Sequence, residues 1–180
     1  MSKNVLVISS SPRKGGNSDI LCDQFILGAE EAGNYTEKVF LRDKNINCCT
    51  ACYACVTNGG KCVQEDDMEQ ILEKMLKADV IVLATPVYFY TVSAQLKMVI
   101  DRTFAKYTQI NNKEFYFIAT AENHIKKTLE RTIESLRGFT DCLKSSVEKG
   151  IIYGTGVSGK GEIKHTDAMK QAYDMGKSVI

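Results

Sequence analysis

The sequence predicts a doubly wound α/β fold, a five-stranded parallel sheet with helices on both faces. Two observations carry this prediction. Short apolar runs, such as Val5-Leu6-Val7-Ile8 and Val80-Ile81-Val82-Leu83-Ala84, alternate with stretches of helical periodicity along the whole chain. Runs without polar alternation suit strands that are buried on both faces. The second observation concerns proline: the only two, Pro12 and Pro86, stand just past those two runs. That is where loops at the carboxyl ends of strands fall.

The elements follow in order. Residues 4–9 read as strand one. Residues 17–33 read as a helix, with Leu21, Phe25, Ala29 and Ala32 near one face and Gly33-Asn34 as its stop. Strand two covers 35–41, and a cysteine-rich loop follows at about 44–65. Asp66-Asp67 opens a short helix, where acids suit the positive end of the helix dipole. Met68, Ile71, Leu72, Met75 and Leu76 mark its buried face. Strand three covers 79–84, and Ser93 reads as the N-cap of a helix that buries Leu96, Val99, Ile100 and Thr103. Strand four is 114–120. A long helix over 123–143 carries Ile125, Leu129, Ile133, Leu136 and Phe139. Strand five is 146–154, and a glycine-rich loop leads to a last helix at 165–178. No linker or repeat interrupts the chain, so residues 1–180 read as one domain. The strand order expected for this pattern is the flavodoxin-like 2-1-3-4-5. Its switch point lies between strands one and three, and ligands bind outside the carboxyl ends of the strands there. The two proline loops follow those two strands.

Composition narrows the function. At 44% hydrophobic and 25% charged residues, the chain has the make-up of a soluble globular protein. A formal net charge of +1 provides no footprint for nucleic acid or an anionic membrane. No apolar run is long enough for a membrane span, and the first apolar stretch is too short for a signal peptide. A cytoplasmic location is expected. Five of the seven cysteines crowd into residues 48–62. In a reducing compartment such a cluster points to metal or redox chemistry rather than a disulfide framework.

The first loop runs Ser9-Ser10-Ser11-Pro12-Arg13-Lys14-Gly15-Gly16-Asn17-Ser18. It combines hydroxyls, two glycines, two cations and a helix start. A helix N-terminus supplies free N–H groups and partial positive charge to an anion. Ser9, Ser11 and Ser18 add hydroxyls, Asn17 an amide, and Arg13 or Lys14 a countercharge. The Walker pattern is absent, which argues against a nucleoside triphosphate. The second loop, Thr85-Pro86-Val87-Tyr88-Phe89-Tyr90, sets three aromatics at the same expected edge. Aromatics there suit a flat heteroaromatic ring, and equally a core or a dimer interface. A monophosphate beside a flat ring describes flavin mononucleotide.

The segments Ser11-Pro12-Arg13-Lys14-Gly15-Gly16-Asn17-Ser18 and Thr85-Pro86-Val87-Tyr88-Phe89, with Ser93-Ala94-Gln95-Leu96-Lys97 and Ile100-Asp101-Arg102, closely resemble the NADPH-dependent FMN reductase family, which includes the iron–sulfur flavoproteins. The tail Gly154-Thr155-Gly156-Val157 … Lys160-Gly161-Glu162-Ile163 is also similar. The resemblance implies an FMN enzyme that takes hydride from NADH or NADPH. It would pass electrons to a quinone, free flavin, nitro compound or protein acceptor. By the same resemblance, Ser9, Ser11, Arg13, Asn17 and Ser18 hold the phosphate, with Pro12, Lys14 and Gly16 in the same loop. Thr85, Pro86, Val87, Tyr88 and Phe89 hold the ring, and Thr120, Ala121 and Glu122 touch its other side. Ser10 stands where the family has glycine, which leaves the local turn open.

Cys49, Cys52, Cys55 and Cys62 read C-x2-C-x2-C-x6-C, with Cys48 as a neighbour. Tight x2 spacing lets thiolates converge, as in ferredoxins, although the proline that follows the last ferredoxin cysteine is missing. The motif resembles the compact one of iron–sulfur flavoproteins and implies a [4Fe-4S] cluster near FMN. Zinc and free redox-active thiols are the alternatives. A homodimer would bring one subunit's loop near its partner's flavin. Cys22 and Cys142 read as inert core residues on helices.

Gly154-x-Gly156-x-x-Gly159 matches the dinucleotide fingerprint as a string, but no returning strand follows to complete a βαβ unit. These glycines read as a loop over the flavin. His124 and His165 read as surface residues at helix starts, Asp66-Asp67 as a cap, and Asp101-Arg102 as an ion pair or dimer contact. Beside the reductase stand two other classes: a flavodoxin-like electron carrier and a thiol or metal redox sensor.

Overall fold

The computed structural model describes residues 2–180. Its elements are β1 Asn4–Ser9, α1 Asn17–Glu31, β2 Tyr35–Phe40, α2 Ala54–Thr57, α3 Met68–Lys77, β3 Val80–Pro86, α4 Ala94–Arg102, β4 Glu114–Thr120, α5 Glu130–Thr140, β5 Val147–Gly154 and α6 Ala168–Lys177. The five strands form one parallel sheet in the order β2-β1-β3-β4-β5, as the sequence predicts.

Strand alternation divides the core between the two faces. Leu6 and Ile8 of β1 and Leu83 of β3 pack with Met68, Ile71, Leu96, Val99, Ile133 and Leu136, so α3, α4 and α5 cover one face. Val5, Val7 and Val82 pack with Leu21, Phe25, Ala168 and Ala172, so α1 and α6 cover the other. β3 is central and buries every residue from Val80 to Thr85, which explains its unbroken apolar run.

Three boundaries differ from expectation by three residues or more. The predicted helix over 123–143 is shorter. Asn123 Oδ1 accepts the Ile125 N–H at 2.8 Å, and this local turn holds Ile125 extended and 62% exposed. A 3-10 turn over Lys126–Leu129 then leads into α5, and Cys142 lies beyond the helix, exposed rather than in the core. Cys22, by contrast, is buried, and burial pushes its thiol up to about 12, so it is inert. α6 starts later than expected, after a separate 3-10 turn at Glu162–His165.

α1 and α6 approach closely because Gly28 and Gly176 face each other's backbones. A Cβ at Gly28 would collide with the Tyr173 carbonyl, and one at Gly176 with the Phe25 carbonyl. Neither obstacle is a side-chain end that can move aside. Gly176→Ala is therefore expected to lower stability by about 2 kcal/mol or more, at the upper end of overpacking costs. Urea unfolding measures this, and a wild-type midpoint would refute the backbone-contact explanation.

Candidate functional site: a cofactor edge and a cysteine loop

Four loops meet at the carboxyl edge of the sheet. The loop after β1 is tied to β3 by the Ser10 N–H, which donates to the Ala84 carbonyl at 2.9 Å. The loop after β3 is tied to β4 by the Val87 N–H on the Thr120 carbonyl at 2.8 Å. The loop after β4 joins the tail loop through Ala121 N–H to Gly154 O at 2.9 Å and Val157 N–H to Ala121 O at 3.0 Å.

Ser10 settles the turn that the sequence leaves open. Its buried hydroxyl donates to the Ala84 carbonyl at 2.8 Å and accepts from Ser93 Oγ at 2.9 Å. Ser93 caps α4, accepting the Leu96 N–H at 3.4 Å, and its own N–H donates to Thr85 Oγ1 at 2.9 Å. Ser10 thus joins the two proline loops directly, a role glycine cannot fill.

The structure sorts the predicted phosphate donors by what their side chains already hold. Ser9 donates to Asp19 Oδ1 at 3.1 Å. Ser11 Oγ donates to the Arg13 carbonyl at 2.9 Å and accepts the Arg13 N–H at 3.2 Å, closing a turn around Pro12. Asn17 is engaged at both ends of its amide. It donates to the Gly159 carbonyl at 2.9 Å and accepts from the Gly161 and Ile163 N–H groups at 3.1 and 3.3 Å. Arg13 donates to the Ser158 carbonyl at 3.1 Å, whereas Lys14 is exposed. Ser18 differs from them all, because its hydroxyl is buried with no partner. Helix geometry also leaves the N–H groups of the first turn of α1 free. Gly16 packs so tightly that a Cβ would collide with Ser11 Oγ. An orphaned hydroxyl, free amides and a glycine cradle fit a phosphate ester.

Val87, Phe89, Tyr90, Ala121, Glu122, Asn123 and Thr128 line a cavity of about 320 Å³ between the loops after β3 and β4. Phe89 and Tyr90 form its rim in a two-residue turn, closed by paired Tyr88 and Thr91 backbone bonds at 3.1 Å. Both have positive φ, 48° and 64°, the sign pattern of a type I′ turn, where Asn-Gly is favoured. Two aromatics in the left-handed region cost about 1–2 kcal/mol each. Phe89 is nonetheless 100% exposed, so core packing does not account for it. Arg131 stacks over Tyr90 at 5.5 Å. Of the remaining predicted residues here, Tyr88 is exposed, Pro86 half-buried, and Thr85 and Thr120 are buried behind the edge.

Cys49, Cys52, Cys55 and Cys62 line one cavity of about 350 Å³ with Asp101 and Phe104 of the α4 segment. Among the described residues, no three His, Cys, Asp or Glu side chains gather into a single-ion shell. Ala51 and Tyr53 hold positive φ of 52° and 57°, so the loop is strained around its cysteines. The Ala54 N–H and the Thr50 hydroxyl lower the Cys52 thiol from its ordinary value. Tyr53 meets Phe104 edge-on at 5.9 Å, and Phe104 stacks on Tyr107 at 5.6 Å.

An ion pair that the sequence reading missed anchors this loop. Arg102 Nη1 donates to Asp66 Oδ2 at 2.6 Å and to the Asn47 carbonyl at 2.8 Å, and Nη2 donates to Asp66 Oδ1 at 3.0 Å. Their side chains are 2% and 0% exposed. Asp66 does bond the Met68 N–H at 3.1 Å, as a cap would, but its main partner is Arg102. Asp101 pairs with Lys97 at 2.6 Å, not with Arg102. Asp19 was also missed. It accepts the Gly15 N–H at 2.8 Å and pairs with Lys38, fixing the loop after β1 from below. An acid three residues past the Gly16 cap was its sequence signal. His124 is exposed, as expected, but not at a helix start. Its ring lies where a Cβ at Gly156 would be.

A family model described as NADPH-dependent FMN reductase matches residues 3–146, and the chain belongs to this family. It is an oxidoreductase of the FMN reductase type. An iron-sulfur flavoprotein of Methanocaldococcus jannaschii is 36% identical over 185 residues, covering 97% of this chain and 94% of the relative. Another, from Archaeoglobus fulgidus, is 42% identical over 95 residues, covering 53% of this chain and 43% of that protein. In structure the chain is similar to an NAD(P)H:quinone oxidoreductase from Methanothermobacter marburgensis. The TM-score is 0.76 at 19% identity, over 98% of this chain and 96% of that one.

The Asp66–Arg102 pair makes loop anchoring depend on pH. Burial alone pushes the Asp66 carboxyl up, but the Arg102 guanidinium and the Asn47 and Met68 N–H groups outweigh it and hold the group below the usual carboxylate range. Its contribution is full above the unfolded-state pKa of about 4 and is lost as pH falls through the lower folded value. Asp66→Asn is expected to cost about 3 kcal/mol near neutral pH, the range for breaking a buried pair. Urea titrations of both proteins should show that gap closing in acid; a gap independent of pH would contradict the assignment.

Proposed function

We propose that the chain binds FMN across this edge, takes hydride from NADH or NADPH, and passes electrons to a small-molecule or protein acceptor. The observation that carries this reading is the orphaned Ser18 hydroxyl at a helix N-terminus, on the same edge as an aromatic-rimmed cavity. FMN, when bound, supplies the hydride-accepting ring. The protein's part is placement. Ser18 Oγ and the first-turn N–H groups of α1 hold the phosphate, and Arg13 adds charge from the exposed side. Ser9, Ser11 and Asn17 shape the cradle through their internal side-chain bonds, and the Asn17 N–H is one of the first-turn donors. Val87, Phe89 and Tyr90 take one side of the ring and Ala121 and Glu122 the other, excluding water from it. No side chain need move a proton. A quinone acceptor agrees with the name of the structurally similar NAD(P)H:quinone oxidoreductase, and the exposed Phe89–Tyr90 turn offers a flat surface for a planar one.

The second reading adds a [4Fe-4S] cluster held by Cys49, Cys52, Cys55 and Cys62. It is supported by their shared cavity and by the name of the relative matched along nearly its whole length. A cubane asks each thiolate to reach a different iron, so thiols spread around one cavity suit it better than zinc, which asks them to converge on a point. A homodimer is supported by the exposed apolar surface of Tyr53, Val56, Phe104 and Tyr107 beside that cavity. A reducing, cytoplasmic location agrees with the exposed free thiols. Among the described residues no helix is long and apolar enough to cross a membrane.

Titration calorimetry with FMN tests the reading, and no binding at high micromolar FMN would end it. Ser18→Ala is expected to weaken FMN about tenfold, the worth of one hydrogen bond to a charged group. Unchanged affinity would remove Ser18 from the phosphate site. Steady-state NADPH oxidation with a quinone separates a reductase from an electron carrier, which would show almost none.

A further inference from the structure

We propose that Arg102 is a positioning residue for the cysteine site: it clamps both ends of the ligand loop and aims its Nε–H at the sulfur of Cys62. This rests on the iron–sulfur reading above. Every cysteine of the loop lies between Asn47 and Asp66, and the guanidinium grips both of those residues at once. Four of its five N–H bonds lie on Nη1 and Nη2, the face turned to Asp66 and Asn47. The fifth, on Nε, is buried with no acceptor of ordinary geometry. A buried charged donor left unpaired is costly, so such a group marks a place where a partner is missing. Cys62 stands four residues before Asp66 in the clamped loop, and its sulfur is near enough to act on the guanidinium. It lines the same cavity as Asp101, the neighbour of Arg102 in sequence.

A thiol is a weak acceptor, whereas a thiolate bound to iron is a strong one. Cluster binding would therefore complete the Nε–H bond. Asp66 neutralises the net charge of the guanidinium, so the influence on the cluster is the local N–H dipole rather than a full positive charge. A bound cluster would carry more negative charge on its ligand sulfurs once reduced by one electron from the flavin of the proposed reaction, with no bond formed or broken. A donor at Cys62 favours that state and raises the reduction potential.

The test uses anaerobically purified full-length protein and its Arg102→Lys variant. Lysine keeps a cation for Asp66 and lacks the Nε–H. Iron and sulfide are measured in both, with the cluster midpoint followed by EPR-monitored redox titration. The variant is expected to retain its cluster with a midpoint shifted to more negative values. A filled cluster with an unshifted midpoint overturns the inference and leaves the iron–sulfur reading intact. Loss of iron without a shift in the remaining cluster overturns it too, reducing Arg102 to a strut. If the variant does not fold, wild-type protein labelled with guanidino-¹⁵N arginine decides the matter. Double resonance on the reduced cluster should show a nitrogen coupling, and its absence overturns the inference. Wild-type protein with FMN but no iron or sulfide defeats the iron–sulfur reading, and the inference with it.

Discussion

Ser10 Oγ and Ser93 Oγ meet at 2.9 Å where neither hydroxyl reaches water, and the arrangement of both candidate sites follows from that contact. Ser10 belongs to the turn leaving β1, and Ser93 starts α4 after the loop leaving β3. Buried hydroxyls must be paired, so the two turns cannot drift apart without leaving costly unsatisfied groups. α4 then runs nine residues from this junction to Arg102. At 1.5 Å per residue that is about 14 Å, so the cofactor edge and the cysteine loop sit at opposite ends of one short rigid rod.

Charge is handled in the same economical way at both ends. Under the loop after β1, Asp19 is buried but shared among Lys38, Ser9 and the Gly15 N–H. For Lys38, burial alone would lower its pKa, but its bonds to Asp19 and Asp23 outweigh that and raise it. Under the cysteine loop, Asp66 and Arg102 do the same with backbone groups of Asn47 and Met68. Buried ion pairs contribute little net stability compared with apolar packing, but they are geometrically demanding. Their value here is that each fixes an irregular loop that no sheet or helix ladder could hold. Such loops carry function when a rigid scaffold positions them.

The fold was legible because strands buried on both faces leave an unmistakable apolar run, as β3 does from Val80 to Ala84. Helix ends were less so, because Asn123 and Ile125 form a local turn that the apolar stripe conceals. The two proline loops were legible through residue chemistry and topology together. What remained hidden was long-range pairing. Nothing near Arg102 in sequence announces Asp66, 36 residues away. Asn17 looks like a ligand donor by type, yet its amide is engaged by the tail. Ser10 looked like a departure from a pattern, and only its neighbours across β3 show what it does. Phe89 and Tyr90 were read as aromatics for a flat ring, a core or an interface, whereas their left-handed backbone is a conformational feature that residue identity does not reveal.

The bonds of Asn17 to the tail also bear on how the chain assembles as it is made. Its amide is completed by Gly159, Gly161 and Ile163, between 142 and 146 residues downstream. α1 likewise lacks its close neighbour until Gly176 is present to face it. On the ribosome, synthesis at roughly 5–20 residues per second sets the delay between those partners. β1 and α1 emerge before those partners, and the amide at the helix start stays open to water until they follow. The anion cradle is thus synthesised well before it can be finished.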